Sequence, residues 1–166
     1  MSSVRSPKKS PSVPAPTDTA APANEPVDTG FLRTLVGYNT RRAALSIIAV
    51  FMERMAVYDL KVVDFSVLSL VAHNPGITSR QLCATLSVLP PNMVGLIAAL
   101  ERRGLIERRP HPSDGRAMGV HLTPAGVELT AQAEQTAAQL EEDATHRLTA
   151  AERKTLIRLL QKVYDV

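Results

Sequence analysis

The chain has 166 residues, 45% of them hydrophobic and 4% aromatic, with one cysteine and a formal net charge of +3. That length and apolar content are enough for one domain with a core. The lone cysteine excludes an internal disulfide, and so mild a charge does not by itself mark a nucleic-acid binder, which leaves the placement of the charges to decide.

Residues 1–29 hold six of the twelve prolines and show no apolar period. They are expected to form a disordered Pro/Ser/Ala-rich tail, because nothing in them offsets the entropy of ordering. Arg5, Lys8 and Lys9 would suit a secretion signal, but Pro11, Pro14, Pro16 and Pro22 stand where its apolar stretch belongs. The longest apolar run, 43–52, is interrupted by Ser46. A membrane helix needs about 20 apolar residues, so a cytoplasmic protein with no membrane partner is expected.

A single domain is expected over 30–166. A long helix is predicted over about 31–58 from Phe31, Leu35, Tyr38, Leu45, Ile48, Met52 and Met55, with Ala43, Ala44, Ile47 and Phe51 widening the stripe. Such a helix has apolar groups on more than one side, so it lies at the centre of the core or against a second subunit. A further helix starts at Asp64 as N-cap, runs through Phe65, Val67, Leu68 and Val71 to His73, and ends at Asn74, Pro75 and Gly76. Ile77 then offers a short strand. Thr78 and Gln81 have the spacing of a capping box for a short helix edged by Leu82 and Leu86.

The next helix, from Pro91 to Arg102, places Met93, Leu96, Ile97 and Leu100 on one face. Gly104 can take the left-handed conformation that stops it, and Leu105 can fold back on its last turn. A hairpin follows, with Pro110, His111, Pro112, Ser113, Asp114 and Gly115 at its tip and Met118, Val120 and Leu122 alternating on its return strand. Thr123 and Pro124 open an Ala, Gln and Glu-rich helix to about Arg147, with a thin face of Leu129, Ala133, Ala137, Leu140 and Ala144. Thr149 and Glu152 cap the last helix, whose stripe is Leu156, Leu159, Leu160, Val163 and Tyr164.

Helix, turn, helix and hairpin in that order predict a winged helix-turn-helix over about 64–123, in a mainly α fold with a small β-hairpin wing. The helices at 31–58 and 124–165 flank it and lack partners, so dimerisation through the N- and C-terminal helices is the economical solution. Two reading helices would then sit one DNA turn apart, about 34 Å, with the hairpin tips on the neighbouring backbone or minor groove. Between residues 100 and 122 stand five arginines, Arg102, Arg103, Arg108, Arg109 and Arg116, against three acids. The outward side of the reading helix is Pro91, Gly95, Ala98 and Arg102, flanked by Asn92, Val94 and Ala99. Asn92 can bond adenine in two places and Val94 can touch a thymine methyl, so base readout is sparse and wing, backbone and DNA shape carry more of the specificity. The candidate DNA contacts are Asn92, Val94, Gly95, Arg102, Arg108, Asp114 and Arg116.

The chain resembles the multiple-antibiotic-resistance regulator (MarR) family over about 31–166. The resemblance rests on Leu68, Pro75-Gly76, Thr78, Leu82, Leu86, Leu100-Glu101-Arg102-Arg103-Gly104-Leu105-Ile106-Glu107-Arg108, Asp114 with Arg116, and Leu122-Thr123-Pro124-Ala125-Gly126. It implies a triangular homodimer that binds a palindrome in double-stranded DNA, usually as a repressor, and is released by a small phenolic or aromatic acid. It also implies that Asp114 orients Arg116 into the minor groove; Gly115 stands where relatives often carry a second arginine.

Tyr38, Arg41 and Arg42 on the first helix are candidate effector contacts, because a guanidinium fork suits the carboxylate of an aromatic acid or the phosphates of its coenzyme A thioester. The competing reading pairs these arginines with acids at a dimer interface or on the surface, and Phe65 suits a pocket wall or plain core equally. Cys83, on the short helix, reads as a small hydrophobe. The family's peroxide sensors carry their cysteine in the first helix, which has none here, so a thiol switch is the lesser alternative. His73, His111, His121 and His146 lack the spacing of metal ligands. No cofactor, metal or catalytic constellation is expected, and the chain does not read as an enzyme. The main alternative to a ligand-responsive regulator is a winged-helix interaction or architectural module with little sequence specificity.

Overall fold

The computed structural model describes residues 26–164 except 112 and 113, and only the backbone of 111 and 114–116. The first helical region is broken where the periodicity predicted one rod. Helix α1 (Gly30–Arg33) stops at Thr34, Leu35 is extended, and α2 (Val36–Met55) restarts beyond it. The cause is Asn39, whose Nδ2 donates to Arg33 O and Leu35 O, both at 2.8 Å. It thereby satisfies the Arg33 carbonyl, which a continuous helix would have bonded internally, and adds a second donor to Leu35 O, which the Asn39 amide also bonds at 3.2 Å. A 3-10 turn, Ala56–Tyr58, closes α2 and leaves Asp59 left-handed at φ 50°.

Helix α3 (Val62–His73) begins two residues before Asp64, correcting the expected N-cap. Asp64 occupies the third helical position, where Oδ2 accepts the Lys61 amide at 3.1 Å. A carboxylate in the first turn also faces the positive end of the helix dipole. Strand β1 (Ile77–Thr78) leads into α4 (Ser79–Leu86), capped as expected: Thr78 N donates to Gln81 Oε1 at 2.8 Å and Gln81 N to Thr78 Oγ1 at 3.3 Å. Helix α5 (Pro90–Arg102) ends at Gly104, φ 68°, with Leu105 N reaching back to Leu100 O at 3.1 Å. Strands β2 (Ile106–His111) and β3 (Asp114–Leu122) form the hairpin, and β1 adds to the far side of β3. In register, Ile106 faces Leu122, Arg108 faces Val120, and Ile77 also faces Val120. Val120 is buried and Leu122 half-buried, but Met118, expected on the same inner face, is exposed. It borders an open concavity between the hairpin and the starts of α4 and α5 rather than the closed core.

Helix α6 (Pro124–Ala144) packs on α2 and α3, and α7 (Ala150–Tyr164) follows. The α6 helix ends three residues short of the expected Arg147. The buried line of α6 runs through Gly126, Thr130, Ala133 and Leu140, so Thr130 was missed. Its hydroxyl is buried and has no hydrogen-bond partner among the described residues. A valine has the same shape and no unmet polar group, so Thr130→Val is expected to stabilise the fold by about 1 kcal/mol. Urea denaturation checks the sign, and a loss of stability would contradict it.

The core joins Phe51 and Met55 of α2, Val67, Leu68 and Val71 of α3, Leu82 of α4, and Met93, Ile97 and Leu100 of α5. Phe65 packs against this core, its ring 5.6 Å edge-to-face from that of Phe51. Cys83 is half-buried beside it. Leu45, Ile48 and Met52 of α2 lie on the outside, and α7 buries none of its residues. No single helix among the described residues is long and apolar enough to cross a membrane.

Candidate nucleic-acid interface

The reading helix α5 turns Met93, Ile97 and Leu100 into the core, which by helical periodicity leaves its opposite side outward. Pro91, Asn92, Val94, Gly95 and Arg102 are exposed, while Ala98 and Ala99 are half-buried. Gly95 and Arg102, seven residues apart, fall on one line along the helix. Val94 lies on another, towards the wing. It shares a concavity of 270 Å³ with Ser79, Arg80, Arg108 and Met118, between the start of α4, α5 and β3. Asn92 and Gly95 instead border a groove of 770 Å³ with Asp59, Lys61 and Arg103, on the side of the α2–α3 junction. The candidate contacts of α5 therefore split between two flanks.

The arginine count overstates the free charge. Arg108 is held in a fork by Glu101, with Nε to Oε1 at 3.2 Å and Nη2 to Oε2 at 2.7 Å. The hydrogen bond and the charge of Glu101 raise the Arg108 pKa further, so the guanidinium stays protonated. Arg109 pairs with Glu107 on the same strand. Arg103 donates to the carbonyls of Tyr58 and Asp59, both at 2.8 Å. Among the described residues Arg102 and Arg80 make no ion pair and are exposed. Sequence reading missed Arg80; its position directly after a capped helix start was the available signal, since that end of the first helix lies beside the reading helix. The side chains of Asp114 and Arg116 lie outside the described residues.

Of the effector candidates, Tyr38 and Arg42 come together. With Val27, Thr29, Arg33 and Asn39 they line an open hollow of 570 Å³ at the α1–α2 break. Arg41 and Phe65 are not on it. Among the described residues no three His, Cys, Asp or Glu side chains are placed to share a metal ion.

The family model described as "MarR family" matches residues 58–117, which span α3, the helix-turn-helix and most of the hairpin. A putative transcriptional regulatory protein for the hcr operon of Thauera aromatica is 37% identical over 100 residues, 60% of this chain and 60% of that protein. The chain thus spans less than two thirds of that relative's length. The transcriptional repressor CouR, solved bound to a 23-mer DNA duplex, is 34% identical with a TM-score of 0.78, covering 84% of this chain and 99% of CouR. The Mycobacterium tuberculosis MarR family protein Rv2887, solved with salicylic acid, is 26% identical with a TM-score of 0.64, covering 78% of this chain and 96% of that one.

Proposed function

Because the chain belongs to the MarR family of transcriptional regulators, we propose that it binds a palindromic operator as a homodimer, acts as a repressor, and is released by a small aromatic acid or its thioester. The observation that carries this reading is the wing: an antiparallel hairpin set beside a reading helix with an exposed outer side, itself preceded by a short capped helix, in the order of a duplex-binding unit. Dimerisation is supported by the apolar side chains left open on both chain ends, Phe31 and Val36 at one and Ile157, Leu159 and Val163 at the other. CouR in complex with DNA and Rv2887 with salicylic acid support the two partner classes.

In this reading Asn92, Val94, Gly95 and Arg102 meet the major groove, Arg108 the adjoining backbone, and Asp114 and Arg116 the minor groove. Arg102, exposed and in no ion pair among the described residues, supplies phosphate contact at the groove edge, so Arg102→Ala lowers the slope of log affinity against log salt by about one unit. For the effector, Tyr38 and Arg42, joined by Arg33, offer a hydroxyl and two guanidinium groups to a carboxylate. Effector binding acts by favouring an arrangement of the two reading helices that no longer fits the operator.

The test is discrimination. A duplex selected by the full chain from a random pool should bind about a thousand-fold or more tighter than random duplex at one stated salt concentration. Aromatic acids and their thioesters are then screened for a rise in Tm and for release of that duplex. A ratio near one would instead support a non-specific architectural module, the reading favoured by the short, apolar Val94 and Gly95 on the outward side of α5.

A further inference from the structure

We infer that Arg103 is a positioning residue, one that holds the reading helix at a set angle to the dimerisation helices; the inference rests on the regulator reading above. Helix α5 packs chiefly against α4 and β2, both inside the winged-helix unit. The fork between Glu101 and Arg108 also stays within that unit. Among the described residues, the side-chain hydrogen bonds that leave α5 and its C-cap for the rest of the protein are those of Arg103. Nη1 donates to Asp59 O and Nη2 to Tyr58 O, across 44 and 45 residues of sequence.

The acceptors sit where the chain passes from α2 to α3. The 3-10 turn ends there, and the carbonyls of a helix end have no partner in the helix itself. A planar guanidinium presents two parallel donors to two successive carbonyls, an arrangement that a lysine ammonium cannot match. The turn is anchored in its own right. Tyr58 Oη lies 2.9 Å from Thr136 Oγ1 and donates to Gln132 O at 3.4 Å, both on α6, and Leu60 just beyond is buried. One arginine thus ties the C-terminal end of the reading helix to a joint whose other side is held by a dimerisation helix. Arg102, its neighbour, points to solvent instead.

Two reading helices meet successive major grooves only when their spacing is held near 34 Å. With the Arg103 bridge cut, α5 still folds on the winged-helix core but samples more orientations, and operator affinity falls with the fraction that fits. Non-specific affinity depends on phosphate charge rather than on that spacing, so it should not follow.

The experiment compares the wild type, Arg103→Met and Arg103→Lys, each also in a Tyr58→Phe background. Affinities are measured for a duplex selected by the wild-type chain and for random duplex across a salt series. Arg103→Met should lower the selected-to-random ratio about tenfold with random affinity and salt slope unchanged. Arg103→Lys should restore little of it, and the loss should shrink in the Tyr58→Phe background, where the joint is already slack. Full rescue by Arg103→Lys, an unchanged ratio, or a parallel loss on both duplexes with the slope lower by about one would overturn the inference, the last making Arg103 a phosphate contact. Should Arg103→Met fail to fold, Arg103→Lys and Tyr58→Phe carry the comparison. A wild-type chain that selects no duplex overturns the regulator reading, whereas full discrimination by Arg103→Met overturns only the positioning role.

Discussion

Leu159→Glu is expected to leave a folded monomer whose affinity for the selected duplex is about 10²–10⁴-fold lower. Within one protomer no residue of α7 is fully buried, and Leu159 is 48% exposed, with Ile157 at 51% and Val163 at 70%. Among the described residues its ion pair to the preceding helix is Arg153 with Glu142, a long contact at 3.5 Å. A charge placed here costs the isolated chain little. In a two-fold dimer the same residue appears on both sides of the interface, so two carboxylates lose water without gaining partners, and the association weakens sharply. The affinity loss follows because binding one half-site no longer raises the local concentration of the second reading helix. Sedimentation velocity at micromolar concentration and an anisotropy titration measure the two effects. A dimer of undiminished operator affinity would show that the apolar stripe of α7 serves something else.

The largest effect on folding should come from Gly126→Ala, about 3 kcal/mol or more of lost stability. A Cβ at Gly126 would stand 1.9 Å from Leu105 O and 2.9 Å from its carbonyl carbon. Neither partner is a side chain that can swing aside. Gly126 is in the first turn of α6, where its amide donates to Thr123 Oγ1 at 3.0 Å, and Leu105 O already accepts the Thr123 amide at 3.1 Å. Relief therefore means pulling α6 off the start of the wing or breaking its cap. For a chain of this size the cost corresponds to a fall in Tm of about 6–12 °C. Differential scanning calorimetry gives the answer, and a Tm within about 2 °C of wild type would show that the two backbones are not held together as described.

Local order was legible. Met93, Ile97 and Leu100 announced the buried side of the reading helix by spacing alone, and Thr78 with Gln81 and Gly104 announced where helices start and stop. These signals concern neighbours within a turn or two, where the chain itself sets the geometry. The break between α1 and α2 was not legible, because apolar spacing continues through Leu35 while Asn39 takes the carbonyls. Nor was the fate of the arginines. Arg102 and Arg103 are adjacent and chemically identical, yet one faces solvent and the other bridges to residues 58 and 59.

The amino-acid sequence alone determined the kind of protein this is: its helix-turn-helix, its hairpin, the unpartnered apolar stripes at its ends, and the family those features resemble. All of these follow from periodicity and capping, which act over a few residues. Tertiary structure alone decided which charges remain free to meet DNA, where Phe65 and Met118 fall relative to the core, and how the reading helix is tied to α2 and α6. Those outcomes depend on which groups the fold brings together, some from distant parts of the chain, as where Arg103 reaches the turn at residues 58 and 59, and a guanidinium takes whichever carboxylate or carbonyl is set within its reach.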